Sequence, residues 1–191
     1  MRVIAGKYRS RPLRSLRGMD IRPTSDRLRE TLFNVLSAGN PEALAGTVWL
    51  DLFAGTGAVG IEAMSRGAKE VHFVDNSSAA AQAIRKNLQG LGIVEGFTVV
   101  QQELPSAFGR MERNDLVADV VFIDPPYRME DAYTQTLNAL AASPLIGATS
   151  VVVVEHEKKF DPGERFGALK RFRTLRQGGT TLSFYRMENP G

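Results

Sequence analysis

The sequence predicts an α/β fold: a doubly wound, mostly parallel sheet that ends in an antiparallel hairpin. From residue 47 onward, strand-like and helix-like segments alternate, which is typical of parallel strands joined by crossover helices. The strands are short and some, such as 151–154, are wholly apolar, which suits a sheet buried on both faces. The last two segments, 169–176 and 180–186, are separated only by a Gln-Gly-Gly turn at 177–179.

A basic arm and one helix precede this alternation, and we expect residues 1–40 to form a small extension to a main domain of residues 41–191. Six cationic residues and no acidic ones lie in the first 19 positions, whereas the whole chain carries a net charge of +3. Apolar residues interleave with these cations, so we predict a β-hairpin that turns at Gly6 and Lys7. Thr24 or Ser25 then caps an amphipathic helix that ends near residues 39–41.

The main domain begins with a strand at 47–52, a helix at 59–66, a strand at 71–75 and a helix at 78–89. Further strands are predicted at 97–101, 119–123 and 150–154, with helical stretches between the later strands. In such a sheet the carboxyl ends of the strands meet at one edge, where ligands bind. A parallel sheet closed by an antiparallel hairpin is the layout of a class I methyltransferase.

Composition excludes several classes of protein. The chain of 191 residues has no cysteine, so disulfides, thiol nucleophiles and cysteine zinc sites are excluded. Its two histidines, His72 and His156, are far apart, and we expect structural roles for both and no metal site. No apolar run approaches the ~20 residues of a spanning helix. We therefore expect a cytoplasmic monomer with no membrane partner.

The glycine-rich loop at 55–60 satisfies the GxGxxG pattern of dinucleotide sites, but its surroundings argue for another ligand. Asp51 ends the preceding strand, and Glu62 follows in the helix. A carboxylate at this mouth would repel a pyrophosphate and attract the ammonium group of S-adenosylmethionine. Gly55 and Gly57 allow the backbone to approach the ligand closely.

Two further carboxylates follow strands at the same edge of the sheet. Asp75 ends the strand at 71–75, where it can accept both ribose hydroxyls of an adenosine. Glu103 follows the strand at 97–101 and can accept from the adenine amino group. Both positions predict an adenosine ligand, without separating S-adenosylmethionine from a dinucleotide.

The Asp-Pro-Pro-Tyr segment at 124–127 is the most specific signal in the chain. A base amine is a poor nucleophile because its lone pair is delocalised into the ring. Accepting its hydrogens on the Asp124 carboxylate and the Pro125 carbonyl would favour a pyramidal nitrogen whose lone pair points at the sulfonium methyl. The two prolines hold these acceptors rigidly, and Tyr127 offers a ring on which an extruded base can stack.

Three segments together resemble the RsmD family of bacterial 16S rRNA guanine-N2 methyltransferases: 22–34, the loop at 51–60, and 124–127. The resemblance runs nearly end to end. It implies S-adenosylmethionine as donor and a guanine of 16S rRNA as acceptor, within the small ribosomal subunit or its precursor. It also implies that 22–34 lies over the active-site mouth. Glu103 departs from the family, which more often carries a shorter Asp or Asn.

These arguments yield a set of expected functional residues. For methyl transfer we expect Asp124, Pro125, Pro126 and Tyr127. For cofactor binding we expect Asp51, Phe53, Gly55, Gly57, Asp75, Glu103 and Thr24. For RNA binding we expect Arg22, Arg27, Lys7, Arg9 and Arg11.

Other functions stay open at this point. DNA adenine-N6 methyltransferases also use an Asp-Pro-Pro-Tyr loop, but they generally need a sizeable target-reading domain, and this chain has almost nothing beyond the catalytic domain. A catalytically silent RNA-binding or assembly factor would carry damaged catalytic residues, whereas Asp51, Asp75, Asp124 and Tyr127 are all present. A dehydrogenase is the most distant alternative, because no hydride-side catalytic residue is evident.

Overall fold

The computed structural model describes residues 1–15 and 25–188, and it confirms the predicted alternation of strands and helices. The helices are α1 (Asp26–Leu36), α2 (Ala58–Ser65), α3 (Ser78–Leu91), α4 (Phe108–Glu112) and α5 (Glu130–Ala141). The strands are β1 (Val48–Leu52), β2 (Glu70–Asp75), β3 (Phe97–Gln101), β4 (Ala118–Ile123), β5 (Ile146–Glu157), β6 (Arg165–Phe166), β7 (Leu169–Gln177) and β8 (Thr180–Met187). None of the helices in these ranges is long and apolar enough to cross a bilayer.

All the strands belong to one sheet with the order β3-β2-β1-β4-β5-β8-β7-β6. Strands β1 to β5 are parallel, and β8 lies antiparallel between β5 and β7, as the hairpin signal predicts. The strand order reverses between β1 and β4, whose ends pair at Leu52 and Ile123. Crevices form at such reversal points, so the residues that follow β1 and β4 share one ligand-binding edge.

Each face of the sheet buries its own hydrophobic core. On one face, Trp49 and Phe184 pack with apolar residues of α1, α2, α3 and the arm, and Trp49 stacks on Phe33 with ring centroids 5.3 Å apart. On the other face, Val121 and Tyr185 pack with residues of α4 and α5. Successive strand residues point to opposite faces, so a wholly apolar strand serves both cores.

Strand β5 is longer than the sequence predicts, extending to Glu157 rather than stopping at residue 154. Its polar end remains in the sheet because β8 pairs with it: Glu155 pairs with Leu182, and His156 with Thr181. The His156 Nε2 atom lies 2.9 Å from the Ser183 Oγ atom, which satisfies the buried ring. The short edge strand β6 was not predicted.

The amino-terminal arm forms the predicted hairpin, which turns at Gly6 and packs on α2. Backbone hydrogen bonds join its two sides: the Val3 amide donates to the Arg11 carbonyl over 3.0 Å and the Ser10 amide to the Val3 carbonyl over 2.9 Å, beside an isolated antiparallel bridge between Arg2 and Pro12. The amides of Ile4 and Ala5 donate to the carboxylate of Glu62, over 2.7 Å to Oε2 and 3.0 Å to Oε1. The arm is therefore a hairpin that packs on α2 as a backbone strap.

Gly6 is required where this strap meets the end of α2. Its φ is +79°, a left-handed conformation, and a Cβ atom there would lie 1.8 Å from the Ser65 carbonyl oxygen. The Lys7 amide donates to that same oxygen over 2.7 Å, and the Tyr8 amide donates to the Ser65 Oγ over 2.9 Å.

Helix α1 begins as predicted, with the Ser25 Oγ accepting from the Leu28 amide over 3.1 Å. Arg29, on the same helix, is fully buried. Its Nη2 atom donates to Asp26 Oδ1 over 2.6 Å and to the Arg2 carbonyl over 2.7 Å, and its Nη1 atom reaches the Ala58 carbonyl over 3.5 Å. One guanidinium thus joins α1, the arm and the first residue of α2.

Glu62→Gln is expected to lower the free energy of unfolding by about 2 to 4 kcal/mol. The carboxylate is fully buried, and its two oxygens accept from Ile4, Ala5 and the Arg66 Nε. A glutamine amide offers one acceptor oxygen, so one arm amide would face an NH₂ donor. Urea unfolding measures the loss, with Glu95→Gln, at an exposed carboxylate, as the control. Equal stability of both variants would contradict the role of Glu62.

Candidate active site

The carboxyl end of β1 leads into a glycine turn that starts α2. Gly57 is the N-cap of α2 with φ +74°, and a Cβ atom there would lie 3.1 to 3.3 Å from Ile84 and Phe73 side-chain atoms. Gly55 also has a positive φ, +54°. Gly55 is therefore the half-buried glycine of this turn, whereas Gly57 is buried against Ile84 and Phe73, where a larger residue would not fit.

Asp51 lies beneath this turn and is only 2 % exposed. Its Oδ2 atom accepts from the Gly60 amide, in the first turn of α2, over 2.9 Å. Burial raises the pKa of the Asp51 carboxyl to about 7, the Gly60 hydrogen bond opposes that rise, and the charge of Asp75 adds to it. Asp51 is thus a buried carboxylate that titrates near neutral pH.

Asp75 organises the loop from the next strand. Its Oδ2 atom accepts from the Gly55 amide and its Oδ1 atom from the Ser77 amide, each over 2.9 Å. Ser77 in turn caps α3 by accepting from the Ala80 amide. The carboxylate of Asp75 therefore has a fixed orientation while its half-buried surface still faces the cavity at this edge.

A cavity of about 490 Å³ opens at the carboxyl edge of the sheet. This volume is within the ordinary range of small-molecule sites. Its lining combines residues from the ends of β1, β2 and β3 with the start of α5: Phe53, Asp75, Asn76, Gln102, Glu103, Leu104, Tyr127, Arg128, Met129, Glu130, Asp131, Ala132 and Gln135. Within the described part of the chain, four carboxylates and one arginine give this lining a negative balance of charge.

The structure therefore brings together some of the predicted residues and not others. Phe53, Asp75, Glu103 and Tyr127 line the cavity, whereas Asp51 lies buried below the glycine turn. Asp124 is half-buried directly after β4, three residues before Tyr127, which lines the cavity.

A buried residue of α5 that was not predicted from the sequence forms a hydrogen bond to the Asp-Pro-Pro-Tyr loop. Tyr133, in the first turns of α5, is buried, and its hydroxyl donates to the Pro125 carbonyl over 3.4 Å. Burial first, and the charge of Asp124 second, raise the pKa of Tyr133 well above its ordinary value. The hydroxyl therefore stays protonated and remains a donor. Its position eight residues after Pro125 carried no motif that could have revealed this contact.

The start of α5 also contributes residues that were not predicted. Glu130 and Asp131 line the cavity from the first turn of this helix. Gln102 does so from just beyond β3. A signal existed for Gln102, because it adjoins the predicted Glu103 at a strand end. No comparable signal pointed to α5, whose position depends on the turn after Tyr127.

The basic residues form separate exposed groups. Arg9 and Arg27 line one shallow cavity of about 300 Å³, together with Arg2, Asp26 and Glu30. Lys7 lies at the arm turn, with its Nζ atom 5.3 Å from the centroid of the Tyr8 ring. Arg11 reaches the end of α3, where its Nη2 atom donates to the Gly90 carbonyl over 3.0 Å.

Two predicted positions, Arg22 and Thr24, lie outside the described residues. Glu62 lies within α2 as predicted, but it contributes no charge to the mouth of the glycine turn. It is fully buried and accepts from the arm and from Arg66, because the arm packs on this side of the helix.

Known proteins match this chain over most of its length. The family model described as conserved hypothetical protein 95 matches residues 1–186. The "Ribosomal RNA small subunit methyltransferase D" of Haemophilus influenzae is 36% identical over 158 residues, which cover 83% of this chain and 79% of that protein.

Solved structures agree with these matches. The "Putative methyltransferase yhhF from Escherichia coli" has a TM-score of 0.81 and 29% identity, covering 98% of both chains. The SAM-dependent methyltransferase from Agrobacterium tumefaciens shares the fold, with a TM-score of 0.60 and 18% identity over 88% of this chain and 63% of that one.

Asp51→Asn is expected to remove a pH-dependent component of stability. The unfolded Asp51 ionises near 3.8 and the folded one at about 7, so between these values the folded protein holds a proton that the unfolded chain has lost. The stability contributed by this group is therefore present below about pH 4 and is lost as the pH rises to about 7, a change of up to about 4 kcal/mol.

The measurement is the free energy of unfolding at about pH 5 and about pH 8. From pH 5 to pH 8, the free energy of unfolding of Asp51→Asn should rise by about 3 kcal/mol relative to that of the wild type. Asp119→Asn is the matched control, because the exposed Asp119 also accepts from a backbone amide, that of Val48. Parallel pH profiles for the wild type and Asp51→Asn would contradict the burial argument.

Proposed function

The chain belongs to the RsmD family, whose model matches nearly its whole length, and on that premise we propose that it transfers a methyl group from S-adenosylmethionine to the N2 amine of a guanine in 16S rRNA. The observation that carries this proposal is an acidic cavity beside the Asp-Pro-Pro-Tyr loop at the reversal point of the sheet. We assign RNA contact mainly to residues 1–40 and catalysis to residues 41–191.

The charge of the cavity supports S-adenosylmethionine over a dinucleotide. Among the described residues, Asp75, Glu103, Glu130 and Asp131 line it, against one cation, Arg128. S-adenosylmethionine carries a sulfonium and an ammonium against one carboxylate, whereas a pyrophosphate would be repelled at this site. In the proposed complex, Asp75 accepts the ribose hydroxyls and Glu103 the adenine amino group, with Phe53 against the adenosine.

The glycine turn and Asp51 complete the proposed cofactor site. The backbone of Gly55 and Gly57 approaches the methionine part of the cofactor, and the ionised Asp51 attracts its ammonium group through the turn. The ionised form of Asp51 predominates above pH about 7, so this attraction increases as the pH rises through that value. Thr24, from the segment before α1, is proposed to cover the cofactor.

Methyl transfer then follows from orientation of the guanine amine. Asp124 and the Pro125 carbonyl accept its two hydrogens, Pro126 keeps the loop rigid and Tyr127 stacks on the extruded base. The nitrogen lone pair attacks the methyl carbon in line as the carbon–sulfur bond breaks, which leaves S-adenosylhomocysteine. Asp124 takes up the surplus proton from the methylated nitrogen.

Tyr133 is proposed to position this loop. Its hydroxyl donates to the same Pro125 carbonyl that accepts the guanine amine, and a carbonyl oxygen has two lone pairs to share. The hydrogen bond fixes the direction of the carbonyl before substrate arrives. Such preorganised acceptors favour the transition state because they need no reorganisation during reaction.

The RNA-binding assignment rests on exposed cations outside the acidic cavity. Arg9 and Arg27 share one shallow basic cavity, and Lys7 and Arg11 continue along the arm. Arg22 is also proposed to contact the RNA. In the proposed complex, the shape of folded rRNA selects the guanine, and these cations contact its phosphates.

The deciding experiment is transfer of labelled methyl from S-adenosylmethionine to small ribosomal subunits, free 16S rRNA and duplex DNA in parallel, with identification of the modified nucleoside. We expect N2-methylguanosine from rRNA. Asp124→Ala should bind S-adenosylmethionine and transfer nothing, because the amine is no longer oriented. N6-methyladenine from DNA would replace the proposed acceptor, and cofactor binding without any labelled substrate would refute rRNA methylation.

Tyr133→Phe is expected to lower kcat by about 5- to 10-fold while leaving the affinity for S-adenosylmethionine unchanged, because one hydrogen bond to a reacting group is lost. Single-turnover methyl transfer measures the rate of the chemical step, and cofactor titration measures the affinity for S-adenosylmethionine. Tyr185→Phe is the matched control: Tyr185 is equally buried and its hydroxyl also donates to a backbone carbonyl, that of Gly163, over 2.7 Å. Equal kcat values for both variants would remove Tyr133 from the mechanism.

A further inference from the structure

A β-bulge in β7 exposes an aromatic ring on the outer part of the sheet. The register between β7 and β8 shifts between Arg171 and Arg173, so Phe172 has no partner across the strands. Phe172 is 49% exposed, one of few large hydrophobic side chains so exposed in the described ranges. Bulges redirect side chains, and this one turns a phenylalanine toward solvent in the middle of a strand.

One guanidinium group lies over this ring, and a second lies over the neighbouring ring of Phe184. The Arg186 Cζ atom lies 4.5 Å from the centroid of the Phe172 ring. The Arg173 Cζ atom lies 5.9 Å from the ring of Phe184, which is itself buried and 6.3 Å from Phe172. The four residues Phe172, Arg173, Phe184 and Arg186 form what we call the bulge platform.

The platform lies on strands that carry only positive charge. Strands β7 and β8 contain no acidic residue. Two of their cations are neutralised locally, because Lys170 pairs with Glu188 and Arg171 forms a bidentate pair with Asp161. Arg173 and Arg186 make no ion pair with any residue of 1–15 or 25–188, so their charge is available to a ligand.

We propose that the bulge platform is an RNA docking surface, on which an unpaired base stacks against Phe172 while Arg173 and Arg186 hold the adjoining phosphates. An exposed aromatic ring flanked by arginines is the combination that binds single-stranded nucleic acid. This inference rests on the proposed rRNA methyltransferase function and adds to it a second contact, remote from the modified guanine.

The position of the platform suits this role. Phe184 belongs to the core that also contains residues of α1 and the arm, so the platform faces the same side of the sheet as those elements. The paired residues Phe122, Val153, Phe184 and Arg173 form one row across β4, β5, β8 and β7. From strand spacings, the platform lies about 15 Å from Asp124. One folded RNA segment can therefore contact both.

Charge favours RNA over a second copy of the chain. Two copies meeting symmetrically through this surface would bring four unpaired arginines together with one phenylalanine ring from each, and like charges at an interface oppose association. A polyanion compensates the same arginines. The platform therefore complements RNA and does not complement itself.

The test measures affinity for free 16S rRNA and for small ribosomal subunits as a function of salt. Phe172→Leu keeps the apolar bulk but removes the stacking ring, and we expect about 10-fold weaker RNA binding. Phe172→Tyr should retain wild-type affinity. The double variant Arg173→Gln with Arg186→Gln should bind more weakly and flatten the dependence of log K on log salt. Affinity for S-adenosylmethionine should not change in any of them.

Val94→Leu is the control, because Val94 is 86% exposed in the turn before β3, far from the platform. Unchanged RNA affinity in Phe172→Leu and in the double arginine variant, from an enzyme that methylates rRNA, would overturn the platform and leave the proposed function intact. A wild-type protein that neither binds nor methylates RNA would overturn both. A change in self-association without a change in RNA affinity would assign the surface to a protein interface.

Discussion

The attachment of the amino-terminal arm to α2 is the interaction on which the rest of the structure depends. Glu62 gives up hydration to become fully buried, and the amides of Ile4 and Ala5 and the Arg66 side chain replace the lost water. Arg29 adds a second connection, from α1 to the arm and to the start of α2. Because α2 begins at the glycine turn, these buried charges also hold the cofactor edge of the sheet in place.

The molecule separates its charges by role. The cavity at the carboxyl edge is lined by carboxylates from three segments of the chain, whereas exposed arginines lie on the arm, on α1 and on β7 and β8. A cationic cofactor and a polyanionic substrate can then be recognised by the same small protein. In the proposed reaction, the methyl carbon and the guanine amine meet between the two regions, beside Asp124.

Much of the candidate site could be read from strand ends. Asp51, Asp75 and Asp124 each follow or end a buried strand, and a parallel sheet aligns such ends regardless of loop detail. The burial and the contacts of each residue could not be predicted from its position at a strand end. Asp51 is buried under the turn with a raised pKa, and Glu62 faces the arm rather than the cavity, because both depend on which distant backbone covers them.

The sequence by itself determined the order of strands and helices, the closing hairpin and the chemical identity of the two loops, because periodicity, turn residues and motifs are local properties of the chain. Only the tertiary structure decided what those elements contact. Tyr133 meets the Pro125 carbonyl, Glu62 meets the arm 57 to 58 residues away, and the bulge turns Phe172 outward. Such contacts depend on how helices dock and how strands slip in register, and neither leaves a pattern along the chain.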